Sequence, residues 1–223
     1  MKIYSNSSSS FQSDNCIALG VIGFYMFILL VSSTVFNSIS MGIFYRAKLF
    51  TPINFFMMTL LSLNLVATFI ESPYMIYNAY NCKVIENEIE CIINGFAMYF
   101  VGNFQTYLLV AISIERYLMI SNLINSKSIT YKACFITIVV CIFLSAIWAF
   151  FPLVGWSYYS TEGIKMSCGV EWQDHSLNVM SYNISIFIFA FFLPLVLIAI
   201  TNYKIIKIVC SQLTLNPVNS YYF

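Results

Sequence analysis

Long uncharged apolar runs separated by short polar stretches occupy most of the chain. They cover residues 16–45, 49–70, 91–114, 133–161 and 176–203. A helix needs about 20 such residues to cross roughly 30 Å of hydrocarbon. Backbone amides find no partner in lipid unless a helix pairs them internally. The pattern therefore predicts five transmembrane helices, at about 17–45, 52–80, 91–120, 133–154 and 177–209.

Composition supports an all-α integral membrane protein embedded in a lipid bilayer. Apolar residues make up 60% of the chain and charged residues only 9%, whereas soluble domains carry about 25% charged residues. Strands of a membrane barrel would alternate apolar and polar positions, which these runs do not. A net charge of +1 argues against a nucleic-acid partner, because nucleic acids bind basic surfaces.

Basic residues favour one side of the predicted helices. With the N-terminus outside, seven lysines and arginines lie on the inner flanks and three lie outside. This bias predicts an extracellular N-terminus in a multi-pass protein of the plasma membrane. Residues 1–16 then form an extracellular tail, in which Asn6 begins a glycosylation sequon. Residues 211–223 form a cytoplasmic tail after the helical region 17–210.

Two cysteines flank the outer side of the predicted bundle. Cys91 begins the third helix and Cys168 lies in the loop after the fourth. A disulfide is chemically permitted in the oxidising outer compartment. Cys16 and Cys82 also face outward, and the sequence leaves the pairing open.

A charged triplet, Glu115-Arg116-Tyr117, stands at the inner end of the third helix. A carboxylate beside an arginine can form an ion pair that a conformational change breaks, as in a molecular switch. The triplet alone equally fits an interfacial charge pair with a belt tyrosine.

Together these features resemble the rhodopsin-like G-protein-coupled receptors. The resemblance also includes Asn37, the stretch 51–54 and Pro194. Within that family, the segment 151–157, followed by Glu162-Gly163 and then 167–169, looks like the second outer loop of opsins. The resemblance covers the first five of seven helices, so we expect the sixth and seventh to be absent.

The resemblance implies a receptor that holds retinal as a protonated Schiff base and couples light to a heterotrimeric G protein. It implies a Cys91–Cys168 disulfide and an inner switch formed by Glu115, Arg116 and Tyr117.

The same resemblance suggests a retinal pocket, with candidates Asn94, Gly102 and Phe191. A buried cation needs a negative partner. Asn94 is neutral where some opsins have a carboxylate, so Glu162 is the first counterion candidate. Glu71 is the second, because a carboxylate within a membrane helix suggests function by default.

Several features separate this chain from the family pattern. Asn64 replaces the usual acidic residue of the second helix, which disfavours a sodium-type site. No lysine lies within an apolar span in the outer half of the bundle, so no retinal-linking lysine is expected here. We expect an incomplete gene product that is inactive alone.

Two other functions are weighed against an opsin. One is a rhodopsin-like receptor for a soluble ligand, and the other is a five-span membrane protein that is not a receptor. An enzyme is disfavoured, because His175 has no nucleophile or metal-ligand spacing around it, and no metal site is expected.

Overall fold

Five long helices build the molecule. The computed structural model describes residues 7–48, 51–83, 85, 87–125, 130–162 and 167–215. The first four helices are α1 (Ser7–Arg46), α2 (Pro52–Tyr80), α3 (Glu88–Asn125) and α4 (Tyr131–Phe150). A 3-10 turn, Phe151–Val154, continues α4.

The fifth long helix is built in three consecutive parts. These are α5 (Leu177–Ile186), a π-helical segment (Phe187–Phe192) and α6 (Leu193–Leu215). Within the described residues, five helices are long and apolar enough to cross a membrane, the last spanning Leu177–Gln212. The five-helix prediction is therefore confirmed.

A short hairpin interrupts this helical architecture. Strands β1 (Tyr159–Glu162) and β2 (Ser167–Val170) pair antiparallel between α4 and α5. The length of an apolar run identifies a membrane helix but not a short strand, so the sequence analysis did not predict these strands. The hairpin lies at the outer end of the bundle in the predicted orientation.

Three of the five long helices described extend beyond their predicted bounds. Helix α1 begins at Ser7 rather than residue 17, α3 runs from Glu88 to Asn125, and α6 continues to Leu215. Apolar runs mark the part of a helix that lipid can surround. A helix continues into the polar interface wherever no proline or glycine stops it.

Short polar side chains begin three of the helices. Thr51, Thr130 and Ser176 each accept a hydrogen bond from a backbone N–H of the first turn, at 3.4 Å. Such caps satisfy amides that have no partner within the helix. They fix where α2, α4 and α5 begin.

Helix α3 lies at the centre of the bundle. It contacts α2, α4, α6 and both strands. Its side chains that face the interior of the bundle, such as Phe104 and the fully buried Leu108, form one core with Phe56 of α2 and Cys141 of α4. Residues on α3 are therefore held rigidly relative to the loop hairpin and the fifth helix.

Candidate functional site: an outer cleft and an inner triplet

A disulfide fastens the hairpin to the head of α3. Cys91 and Cys168 are bonded, with their Cα atoms 5.3 Å apart, and both are buried. The pairing implied by the family resemblance is thus present. It places β2 directly over the outer end of α3.

A second disulfide joins Cys16 of α1 to Cys82, just beyond α2. The two disulfides use all four cysteines that were predicted to face outward. The pairing that the sequence left open is therefore Cys16 with Cys82 and Cys91 with Cys168. Nearby, Gly23 and Ala79 hold α1 and α2 in close contact. A Cβ on Gly23 would lie 2.6 Å from the Ala79 methyl group.

Side chains of α5 hold the loop that carries the hairpin. The amide of Asn178 donates to the Gly155 carbonyl at 2.8 Å, and that of Asn183 donates to the Glu171 carbonyl at 2.9 Å. The Trp156 indole donates to Ser181 Oγ at 2.9 Å. The loop is therefore anchored to α5 as well as to α3.

The two counterion candidates interact electrostatically. Glu162 ends β1, and its side chain packs over Gly169, which has no Cβ to obstruct it. Ser167 Oγ donates to the Glu162 carboxylate at 3.4 Å. Glu162 interacts electrostatically with half-buried Glu71 and with Tyr99. The hairpin thus brings negative charge from the loop toward the one carboxylate of α2.

Glu171, which follows β2, is held in its ionised form. Hydrogen bonds from the Ser160 hydroxyl and from the backbone N–H of Gln173, the latter 2.6 Å long, lower the pKa of this carboxyl. The sequence analysis did not select Glu171. Its contacts depend on the hairpin register, which the sequence pattern does not reveal.

A cleft of about 300 Å³ lies between α3 and the fifth helix. Gly102 and Phe191, both predicted pocket residues, line it together. Asn94 does not, and instead lines a separate groove between α2 and α3. Eight residues separate positions 94 and 102 by about 12 Å along α3, and the packing of α2 and of the fifth helix against α3 assigns them to different clefts.

The remaining lining of the cleft is mostly aromatic and apolar. It consists of Met98, Tyr99, Asn103, Trp172, Ile186, Phe187 and Ala190. Trp172 comes from the loop, and Phe187 stacks edge-on against it at 6.5 Å between ring centroids. Asn103 is the polar exception that the sequence analysis missed, since an isolated asparagine gives no signal by itself.

Amide side chains link three helices within the membrane region. Asn64 donates to Asn37 at 3.2 Å, and Gln105 donates to Asn64 at 2.9 Å. A cleft beside this chain of amides extends outward to Glu71. Neutral amide side chains therefore surround the position on α2 where the family pattern has an acidic residue.

The inner triplet adopts an arrangement without an internal ion pair. Glu115 is buried, accepts a hydrogen bond from the Cys134 thiol of α4 at 3.4 Å, and has a second oxygen without a described partner. Arg116 is exposed, with its guanidinium 3.8 Å from the Met57 sulfur. The predicted pairing of Glu115 with Arg116 is absent among the described residues, because adjacent helical positions point in different directions.

Tyr117 contacts the fifth helix instead of its neighbours in the triplet. The ammonium group of Lys204 lies over its ring, 5.4 Å from the centroid. Nearby, Ser113 and Thr201 share a hydrogen bond of 2.8 Å. The inner ends of α3 and α6 are therefore in direct contact.

Asn6, which begins the predicted glycosylation sequon, lies outside the described residues.

The central α3, the loop hairpin bonded to its head and the triplet at its foot define part of a seven-helix receptor bundle. A model of the seven-transmembrane receptor family of the rhodopsin type matches residues 37–218. The chain therefore belongs to that family and is a multi-pass membrane protein. Membership favours the receptor interpretation over the alternative of a five-span membrane protein that is not a receptor.

The chain is similar in sequence to several opsins. It is 27% identical to the G0-coupled rhodopsin of Mizuhopecten yessoensis, over 86% of this chain and 45% of that protein. It is 28% identical to the long-wavelength rhodopsin of Apis mellifera, over 86% and 52%. The melanopsin of Podarcis siculus is 31% identical, over 73% and 34%. The chain thus spans from about a third to about half of the length of these relatives.

A solved structure shares the fold. The crystal structure of squid rhodopsin superposes with a TM-score of 0.81, at 24% identity, over 88% of this chain and 54% of the other. The five helices here are therefore arranged as in a rhodopsin bundle.

Proposed function

We propose that this chain belongs to an opsin-type photoreceptor, which binds retinal and couples light to a heterotrimeric G protein from the plasma membrane. The observation that carries this proposal is the position of Glu162. A disulfide-anchored hairpin carries it at the outer end of α3, where its charge acts on Glu71 of α2 and on Tyr99 of a cleft lined by aromatic and apolar side chains. When bound, retinal supplies a light-driven isomerisation.

The cleft residues fit a flat apolar polyene. Trp172, Phe187 and Phe191 offer ring faces and edges, and Gly102 leaves space because a Cβ there would meet nothing within 4 Å. Ligand pockets of this kind are apolar with a few placed polar groups. None of the described lysines lines the cleft, so covalent attachment needs a lysine outside the described residues.

Glu162 is proposed as the principal counterion, with Glu71 as its auxiliary. A cation in a low-dielectric site is costly unless a negative group faces it. Glu162 is exposed on the hairpin, whereas Glu71 is half-buried in α2. The two carboxylates supply the negative charge that the neutral side chain of Asn94 does not.

The inner triplet is proposed as the G-protein switch. Arg116 is exposed at the foot of α3 and makes a weak sulfur contact. No carboxylate among the described residues pairs with its guanidinium and would have to be displaced. Glu115 is held on the opposite side by Cys134.

A cationic retinoid tests the ligand and the counterion together. The full chain in lipid nanodiscs is titrated with retinal and with its preformed, protonated n-butylamine imine, and quenching of tryptophan fluorescence reports binding. We expect Glu162→Gln to weaken binding of the cation about tenfold, or about 1.4 kcal/mol, and Glu71→Gln to weaken it less. Neutral retinal serves as the internal control.

Glu88→Gln is the matched control variant, since Glu88 lies in the first turn of α3, outside the cleft lining. If neither retinoid binds, the retinal proposal fails. If the cation binds equally well to the wild type and to both variants, the counterion assignment fails.

The orientation is tested at Asn6. We propose an extracellular N-terminus with a glycan on this residue. The chain expressed in insect cells should lose mass after treatment with an amidase that removes N-glycans, and Asn6→Gln should not. A cytoplasmic N-terminus would leave both proteins unchanged.

A further inference from the structure

The groove between α2 and α3, in which Asn94 lies, is not used by the proposed function. It has a volume of about 390 Å³, and among the described residues it shares none of its lining with the cleft between α3 and the fifth helix. Ile93, in its wall, is 64% exposed. In a chain that crosses a bilayer, an exposed apolar wall of this kind is in contact with lipid.

Polar groups lie at one end of this α2/α3 groove and apolar groups at the other. Asn87 and Glu90 are at the head of α3, whereas Ala97 lies seven residues further along the same helix. Seven residues of helix correspond to a depth of about 10 Å. Ile70 of α2 continues the apolar part. This order matches an amphiphile whose polar end faces outward, as that of a phospholipid in the outer leaflet does in the proposed orientation.

The polar end offers one negative charge together with hydrogen-bond donors. Glu90 is the one charged residue among the described lining residues of the groove, and the Tyr74 hydroxyl of α2 interacts with its carboxylate. The side-chain oxygen of Asn87 accepts from the backbone N–H of Ile89 at 3.0 Å, and the amide nitrogen of Asn87 has no acceptor within the described part of the chain. A carboxylate pairs with an ammonium group, and an amide N–H donates to a phosphate oxygen.

Asn94 supplies a second polar level one helical turn deeper. It follows Glu90 by four residues, so the two side chains lie on the same face of α3, about 6 Å apart along the axis. The Asn94 side chain is half-buried and makes no hydrogen bond to any other described residue. A phospholipid carries ester carbonyls directly below its headgroup, and these accept hydrogen bonds from an amide.

We propose that the α2/α3 groove binds one phospholipid with a primary ammonium headgroup, whose ammonium group pairs with Glu90 and whose ester carbonyl accepts from Asn94. A choline headgroup carries the same charge but has no N–H donor, so the carboxylate discriminates between the two by charge-assisted hydrogen bonds. An anionic headgroup is repelled by Glu90. The inference is independent of the proposed function, because it concerns a different groove and a different ligand.

The headgroup nitrogen is the variable in the test. The full chain in detergent micelles is titrated with dioleoyl phosphatidylethanolamine and with dioleoyl phosphatidylcholine, and native mass spectrometry counts the lipids bound. The two lipids differ only in the methyl groups on nitrogen. We expect one ethanolamine lipid to bind about tenfold more tightly than its choline counterpart, as charge-assisted hydrogen bonds to the carboxylate require.

Three variants assign the contacts. Glu90→Gln should abolish the preference, whereas Glu88→Gln, in the same first turn of α3 but outside the groove lining, should keep it. Asn94→Leu should weaken binding of both lipids and leave their ratio unchanged.

Equal affinities in the wild type, a preference that survives in Glu90→Gln, or tighter binding of dioleoyl phosphatidylglycerol would overturn the inference. Unchanged affinities in Asn94→Leu would overturn the ester contact. The retinoid titrations report on the other cleft, so failure of either proposal is recognised separately.

Discussion

The hydroxyl of Tyr182 donates a hydrogen bond of 2.8 Å to the backbone carbonyl of Trp148. In a continuous α-helix, this carbonyl would accept from the residue four positions later, which is Pro152 and has no N–H. The fully buried Tyr182 side chain of α5 replaces that donor. The hydroxyl of Tyr159 of β1 also donates to a backbone carbonyl at this end of α4, that of Ala149, at 2.8 Å. Two tyrosines therefore complete the outer end of α4.

Removing the Tyr182 hydroxyl should destabilise the bundle. Tyr182→Phe leaves the Trp148 carbonyl without a donor in a buried site, which we expect to lower the free energy of unfolding by about 1 kcal/mol. Thermal unfolding in nanodiscs measures this change. The control is Tyr203→Phe, because Tyr203 is 68% exposed. Equal stability of the two variants would contradict the capping role.

A pair of glycines on α3 offers a second prediction. A Cβ on Gly95 would lie 2.6 Å from the Tyr159 ring, whereas a Cβ on Gly102 would meet nothing within 4 Å. The Tyr159 ring cannot move away easily, since its hydroxyl is bonded to Ala149. Gly95→Ala should therefore cost about 1–3 kcal/mol of stability.

Gly102→Ala is the matched control for that change. Alanine has a higher helix propensity than glycine, so this variant should be neutral or more stable by up to about 1 kcal/mol. Thermal unfolding of both variants measures the difference. A stabilised Gly95→Ala would show that the hairpin does not press against α3 as described.

The disulfide pairing gives a third prediction. Proteolysis without reductant, followed by mass spectrometry, should recover a peptide pair joined by Cys91–Cys168 and another joined by Cys16–Cys82. Cys168→Ser opens a link between residues 77 positions apart and should cost about 2–5 kcal/mol of stability. A peptide joining Cys16 to Cys168 would contradict the structure.

The fourth prediction concerns acid pH at Glu171. Hydrogen bonds lower the pKa of this carboxyl in the folded protein. Its contribution to the free energy of unfolding is therefore complete above the pKa of the unfolded state, near 4.3. That contribution is lost as the pH falls through the lower pKa of the folded state. The turn that follows β2 should loosen in that acidic range.

Fluorescence of Trp172, the next residue, reports on this loosening. Glu171→Gln should remove the acid-dependent component of the signal, because glutamine does not titrate. Glu88→Gln should preserve it, as Glu88 lies in the first turn of α3. A wild-type acid transition that survives in Glu171→Gln would exclude Glu171 as its source.

The sequence by itself determined the five membrane-crossing helices and the family resemblance. Lipid accepts only long apolar segments whose backbone bonds are internal, so apolar run length identifies such helices directly. The residues at the head of α3 and in the loop were recognisable as a motif, and their disulfide follows the family pattern.

Only the tertiary structure decided how distant polar groups meet. Glu71 and Glu162 belong to different elements, and the electrostatic interaction between them depends on the register of a hairpin that apolar patterning cannot detect. Asn94 and Gly102 looked equivalent in sequence, but the packing of α3 places them in separate clefts. Helix rotation and strand register are set by long-range packing, and no local pattern along the chain encodes them alone.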